Sequence, residues 1–192
     1  FGIIAPWQSY ARALEAPLAS VPRWLWGPVR LRTAVRPYRR AQVLFATSRF
    51  TAEELVECFG IDPARIRVCP LGVEPSFFEV ERPAAPRAVP RLLFFGRIIP
   101  SKGVGDALEA LGRVARGGGQ FELRVVGQGE HDWAAAQARA HGIAERVALR
   151  GPAADGELKA ELAWADLALL PSHFEAFGLA FAEAQAAGPP GG

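Results

Sequence analysis

Two glutamates eight residues apart, Glu175 and Glu183, interrupt a mostly apolar stretch, "PSHFEAFGLAFAEAQAAG" at 171–188. Glu183 falls among alanines at helical spacing, where solvation of a helix face is a sufficient account. Glu175 precedes that helix, among residues that would otherwise be buried. Between them, Phe177-Gly178-Leu179 opens the helix, and the first N–H groups of a helix lack internal acceptors and can hold a phosphate. Two carboxylates beside an anion site are poor partners for the phosphate itself. They are good acceptors for hydroxyls at the two ends of a diphosphate, a sugar and a ribose.

A second segment, "GRIIPSKG" at 96–103, lies between a strand and a helix. Gly96 permits close backbone approach, while Arg97 and Lys102 bring two cations to one loop at the positive end of the helix. That combination suits a diphosphate, although an ordinary solvated loop would use the same residues. The order Ser-Lys-Gly is not that of a Walker A loop. "VVGQGE" carries Gly127 and Gly129, which fit a tight strand-to-helix turn as well as a ligand contact. Without a full GxGxxG or an acid on a following strand, a dinucleotide oxidoreductase is disfavoured. The three histidines form no HExxH and the chain holds no DxD, so no metal site is expected. No Gly-x-Ser-x-Gly supports acyl hydrolysis.

The elements that must position these residues alternate. "AQVLFAT" (41–47) reads as a short buried strand, Thr51-Ala-Glu-Glu54 as a capping pattern opening a helix to about Phe59, and "RIRVCP" as another strand. The four prolines of 74–91 are expected to hold no regular element and to mark an interdomain linker. Beyond them strand and helix alternate four times: "RLLFF", "GVGDALEALGRVAR", "FELRVVG", "HDWAAAQARAHG", "RVAL", "DGELKAELAWA", "DLALLP" and "GLAFAEAQAAG". Short connections between them predict a parallel sheet covered by helices. Ligands in such sheets bind beyond the carboxyl ends of the strands, near the topological switch point. The loops to search are therefore "GRIIPSKG", "GQGE", "RGPAAD" and "PSHFEAFG".

Half of the 192 residues are hydrophobic and 22% are charged, the balance of a globular chain. No apolar run reaches the roughly 18 residues of a membrane span, and no signal peptide is evident. Cys58 and Cys69 are too few for a disulfide framework and are expected to be small core residues, which suits a cytoplasmic protein. With no methionine and a Gly-Gly end, the chain reads as a fragment of a longer protein. Net charge is +2 but uneven: Arg23, Arg30, Arg32, Arg36, Arg39 and Arg40 meet no acid, and Trp24 and Trp26 lie beside them. Such a stretch fits an anionic membrane surface, an acidic acceptor, a nucleic-acid contact or a plain solvated face.

From about Ala41 to Gly188 the chain resembles the GT-B retaining glycosyltransferases of family four. "ATSRFTAEELVECFGIDPARIRVCPLGVE" is similar to the segment that ends the family's N-terminal domain. "LLFFGRIIPSKGV" is similar to its Gly-Arg…Lys-Gly donor loop, "LRVVGQGE" to its Val-Gly-x-Gly turn, and "PSHFEAFGLAFAEAQAAG" to its Glu-x7-Glu signature. The family pattern after that signature is Gly-x-Pro and a β-branched strand, where this chain has "GPPGG".

The resemblance implies an α/β fold of GT-B type, Rossmann-like parallel sheets with helices on both faces, with both domains incomplete. Residues 1–73 would be the end of the acceptor-side domain, 74–90 the linker and 91–192 the truncated donor domain. Arg97, Lys102 and Glu175 would be catalytic. The donor would be held by Gly96, Arg97, Lys102, Glu175, Ala176, Phe177, Gly178, Leu179 and Glu183. Arg97 and Lys102 would neutralise the leaving diphosphate, Glu175 would contact sugar hydroxyls, and Glu183 would hold ribose hydroxyls. The implied reaction moves a sugar from a nucleotide-diphosphate donor to a saccharide, lipid-linked or small-molecule acceptor with retention, using no metal or cofactor. The fragment alone is expected to be inactive. No nucleic acid is expected as a partner, and Arg23–Arg40 offers a peripheral contact on the inner membrane face of a cytoplasmic enzyme. Rival readings are a sugar-nucleotide epimerase or phosphorylase on the same fold, and a non-catalytic module that binds nucleotide sugars.

Overall fold

The computed structural model describes residues 35–81 and 88–188. They form two compact units: the residues up to Gly72 together with Phe174–Phe177, and Val73–His173 with Gly178 onward. Of the basic stretch, Arg23, Arg30, Arg32, Trp24 and Trp26 lie outside the described residues. No described helix is long and apolar enough to cross a membrane.

In the first unit, strands β1 (Leu44–Ala46) and β2 (Ile66–Val68) pair in parallel, Leu44 opposite Ile66. Helix α1 (Arg49–Glu57) joins them over a small core of Val35, Ala46, Leu55, Phe59 and Ile61. The capping pattern expected at Thr51 is corrected. Ser48 is the extended N-cap, its Oγ accepts the Thr51 N–H at 3.1 Å, and Thr51 is the buried third residue of the helix. Arg39 donates from Nε and Nη2 to the Phe59 carbonyl, at 3.3 and 3.2 Å, so this member of the basic stretch ties down the chain just after α1. Cys58 and Cys69 are both exposed, contrary to expectation. Cys58 closes α1 on its outer side, and Cys69 follows β2, a strand whose own residues are only partly covered.

The second unit is built on a parallel four-stranded sheet. Its strands are β3 (Arg91–Phe95), β4 (Glu122–Val126), β5 (Val147–Arg150) and β6 (Leu167–Ala168), in the order β5-β4-β3-β6. Leu92 through Phe95 are all buried, as a continuous apolar run on a central strand should be. Side chains alternate across a strand, so Leu92 and Phe94 face one way and Leu93 and Phe95 the other. Helices α2 (Val104–Arg116) and α3 (His131–Ala140) cover the first face. Residues 104, 107, 108, 111 and 112 form the buried stripe of α2, the spacing of an amphipathic helix. Helices α4 (Asp155–Trp164) and α5 (Leu179–Ala186) cover the second face. Burial of each large β3 side chain contributes about 1.5–3 kcal/mol before the entropy of ordering is subtracted.

Two polar features anchor this second layer. Glu161 of α4 is 8% exposed; one of its oxygens accepts from Arg124 Nη1 at 2.8 Å, the other from Arg150 Nη1 at 2.7 Å. The Arg124 guanidinium also stacks 3.7 Å from the Trp164 ring centroid. The second feature corrects the reading of 74–91 as structureless. Pro75–Glu79 is a 3-10 turn with Pro75 at its start, where a fixed φ and missing N–H are tolerated. It drives Phe77 into the same cluster as Leu93 and Phe95. Lys159 lies 5.2 Å from the Phe77 ring centroid and 3.7 Å from Glu74. The Ser76 hydroxyl and then Lys159 hold the Glu74 carboxyl below the ordinary glutamate value.

Candidate functional site

The chain runs from β3 to β4 to β5 in one direction and then returns to place β6 on the other side of β3. The direction of winding thus reverses between β3 and β6, which makes their carboxyl ends the switch point. Of the four loops expected from the sequence, this selects "GRIIPSKG" after β3 and the segment after β6. "RGPAAD" follows the edge strand β5, away from the reversal.

"GQGE" has a different role. Beyond the strands the two chains continue side by side: Gly96 N–H donates to Val126 O at 3.0 Å, Ile98 N–H to Gln128 O at 2.8 Å, and Glu130 N–H to Ile98 O at 2.8 Å. A Cβ at Gly127, whose φ is +149°, would stand 1.8 Å from the Gly96 carbonyl oxygen. The Gly-x-Gly is therefore occupied by the neighbouring loop, and its requirement for glycine comes from that backbone contact.

After β3, Gly96 and Arg97 are exposed. Pro100–Lys102 makes one 3-10 turn, Lys102 is half-buried, and Gly103 caps α2 in the left-handed conformation at φ +73°. Glycine is needed there twice over, since a Cβ would also meet the Pro171 carbonyl oxygen at 1.9 Å. The loop after β6 thus lies directly on the loop after β3. His173 N–H donates to the Ser101 carbonyl at 3.1 Å, and His173 Nε2 is bonded to the Asp106 carboxylate.

At the other end of the signature, Gly178 is the left-handed N-cap of α5 (φ +83°) and Leu179 its first residue. Glu183, five positions in, is half-buried. The segment between belongs to the first unit. There the Thr51 and Thr47 hydroxyls donate to the Ala176 carbonyl at 3.2 and 3.4 Å, and Phe50 meets Phe174 with centroids 5.5 Å apart. Glu175 is exposed, and Ala176 and Phe177 are half-buried.

Sequence reasoning gave Thr51 only a capping role and missed the contact between Asp106 and His173. His173 stood inside the quoted motif and Asp106 in the first turn of a predicted helix, but no spacing rule links positions 67 residues apart.

Comparison with known proteins gives consistent results. The family described as glycosyl transferases group 1 matches residues 78–190, and that described as glycosyltransferase family 4 matches residues 8–77. A glycogen synthase of Mycobacterium tuberculosis is 38% identical over 155 residues, covering 79% of this chain and 37% of that protein. The crystal structure of WaaG, a glycosyltransferase involved in lipopolysaccharide biosynthesis, superposes with a TM-score of 0.74 at 21% identity. That match covers 97% of this chain and 53% of WaaG. The Anabaena protein HepE, in complex with UDP and glucose, gives 0.70 at 21% identity, over 84% and 47% of the two chains. The chain thus spans about half or less of the length of these relatives.

Proposed function

The chain belongs to the group 1 glycosyl transferases with the GT-B fold, and from that premise we propose that it carries most of the donor site of a retaining, metal-independent transferase. The enzyme moves a sugar from a nucleotide-diphosphate donor to a saccharide, lipid-linked or small-molecule acceptor. The observation that supports this reading is the strand order: the Arg97–Lys102 loop follows β3 and the segment to His173 follows β6, the two strands between which the winding reverses.

The residue roles follow from chemistry. As the bond between the anomeric carbon and the diphosphate breaks, negative charge grows on the departing oxygen. Fixed cations and N–H donors already aimed at that charge stabilise the transition state more than the ground state. Arg97 and Lys102 supply the cations, and the backbone from Phe177 to Leu179 supplies N–H groups at the positive end of α5. Gly96 leaves room for the diphosphate. Glu175, next to Ala176, accepts hydroxyls of the donor sugar and Glu183 those of the ribose, since an ionised carboxylate is purely an acceptor.

We assign residues 1–73 to the acceptor-side domain, 74–90 to the linker and 91–192 to the donor domain. The break between compact units after Gly72 and the change of family match after residue 77 support the first of these boundaries. The proposed location is cytoplasmic, with the Arg23–Arg40 stretch as a peripheral contact on the inner membrane face.

The test uses a full-length protein that contains this chain, screened against a panel of nucleotide sugars and acceptors. Arg97→Ala and Lys102→Ala should each lower turnover by about 100- to 1000-fold, some 3–4 kcal/mol of transition-state stabilisation. Unchanged turnover in both variants removes this loop from the site. Donor turnover without any acceptor would instead indicate an epimerase.

A further inference from the structure

We infer that Asp106 and His173 act as a positioning pair for the proposed transfer, fixing the loop that carries Lys102 to the segment that leads into Glu175. The inference rests on the donor-site reading given above. Three separate contacts converge on it, all within the second unit. The His173 N–H donates to the Ser101 carbonyl at 3.1 Å, the His173 imidazole is bonded to the Asp106 carboxylate, and Pro171 occupies the space beside Gly103 where a Cβ would stand. The first and third hold the residues on either side of Lys102. The second ties the segment after β6 to the first turn of α2, which is itself set by the buried Val104 and Leu108.

His173 lies two residues before Glu175 in the chain. Both side chains of the pair are about half exposed, at 47% and 56%. Exposed ion pairs contribute little to stability. Holding Lys102 and the approach to Glu175 in register is a different matter, because small misplacements of catalytic groups cost large factors in rate. The pair should therefore be visible in kinetics and nearly silent in thermal melting.

The experiment compares His173→Ala, Asp106→Ala, the double variant and His173→Gln in the full-length protein. Gln keeps an N–H near the position of Nε2. Each single Ala variant should lower kcat about tenfold with the melting temperature unmoved. The double variant should be no worse than either single, since the two residues act as a unit, and Gln should recover most of the loss. Wild-type kcat in both single variants, or losses that multiply in the double, would overturn the inference. If the unaltered protein transfers no sugar and binds no nucleotide diphosphate, the transferase reading fails, and hydrogen exchange then judges the pair by itself. Faster exchange at 99–106 and 171–173 in either Ala variant supports the pair; unchanged exchange sinks it.

Discussion

Glu183 lies five positions into α5, and Glu175 three residues before its N-cap Gly178. In the proposed reading Glu183 would meet the ribose and Glu175 the sugar being moved. Glu183→Gln replaces a charged acceptor by a neutral one and should weaken binding of the nucleotide diphosphate by about 1–2 kcal/mol. Glu175→Gln should affect the intact donor sugar more than the nucleotide alone. Calorimetry with both ligands checks this, and equal losses for both in both variants would contradict the division. Gly103 supplies a residue-scale control of another kind. Its left-handed φ and the 1.9 Å approach of Pro171 make Gly103→Ala strained and clashing. We expect a stability loss of about 2 kcal/mol or more in denaturant unfolding.

At the scale of elements, α4 is held to the sheet by a carboxylate between two arginines. Glu161→Ala leaves the Arg124 and Arg150 guanidinium groups without that partner. Removing one member of a buried pair costs about 3–5 kcal/mol, and the partial exposure of both arginines reduces this to about 2 kcal/mol. Thermal unfolding of Glu161→Ala and Glu161→Gln against the parent reads the effect, and an unchanged midpoint would mean the network contributes nothing. This network also shows what sequence reasoning reaches and where it stops. The apolar run "RLLFF" and the periodic stripe of α2 are local patterns, so β3 was placed to the residue and α2 to within one. Arg97 with Lys102, and Glu175 with Glu183, could be proposed from the sequence because each pair falls within one short stretch of it. The helix cap at Ser48 was displaced by three residues because Thr51 also fits a capping pattern, and burial decided between them. Glu161 with its arginines, Phe77 in the core and His173 with Asp106 depend on strand order, which no local window contains. The glycines of "GQGE" fit a turn or a ligand contact from sequence alone, because the carbonyl that demands Gly127 comes from 31 residues upstream.

At the scale of the whole molecule, the two units differ in how much of their surface is closed. The second has a sheet covered on both faces. In the first, β1 and β2 make a two-stranded sheet among the described residues, and Phe45 is 66% exposed. Residues 1–192 alone are expected to show no glycosyl transfer, since the proposed chemistry draws groups from two domains. Weak nucleotide-diphosphate binding should survive. Purified 1–192 assayed with several donors, with uridine, guanosine and adenosine diphosphate titrated in parallel, gives the answer; robust transfer would overturn the two-domain mechanism. The buried position of Phe77 has a practical bearing on any attempt to dissect the gene. A cut at Arg91, where the first strand of the sheet begins, discards an aromatic ring from the interior of the domain that remains. The hole would cost about 3–5 kcal/mol, much of what a domain this size can spare. Expression should begin no later than Val73, so that the Pro75–Glu79 turn travels with the sheet it plugs.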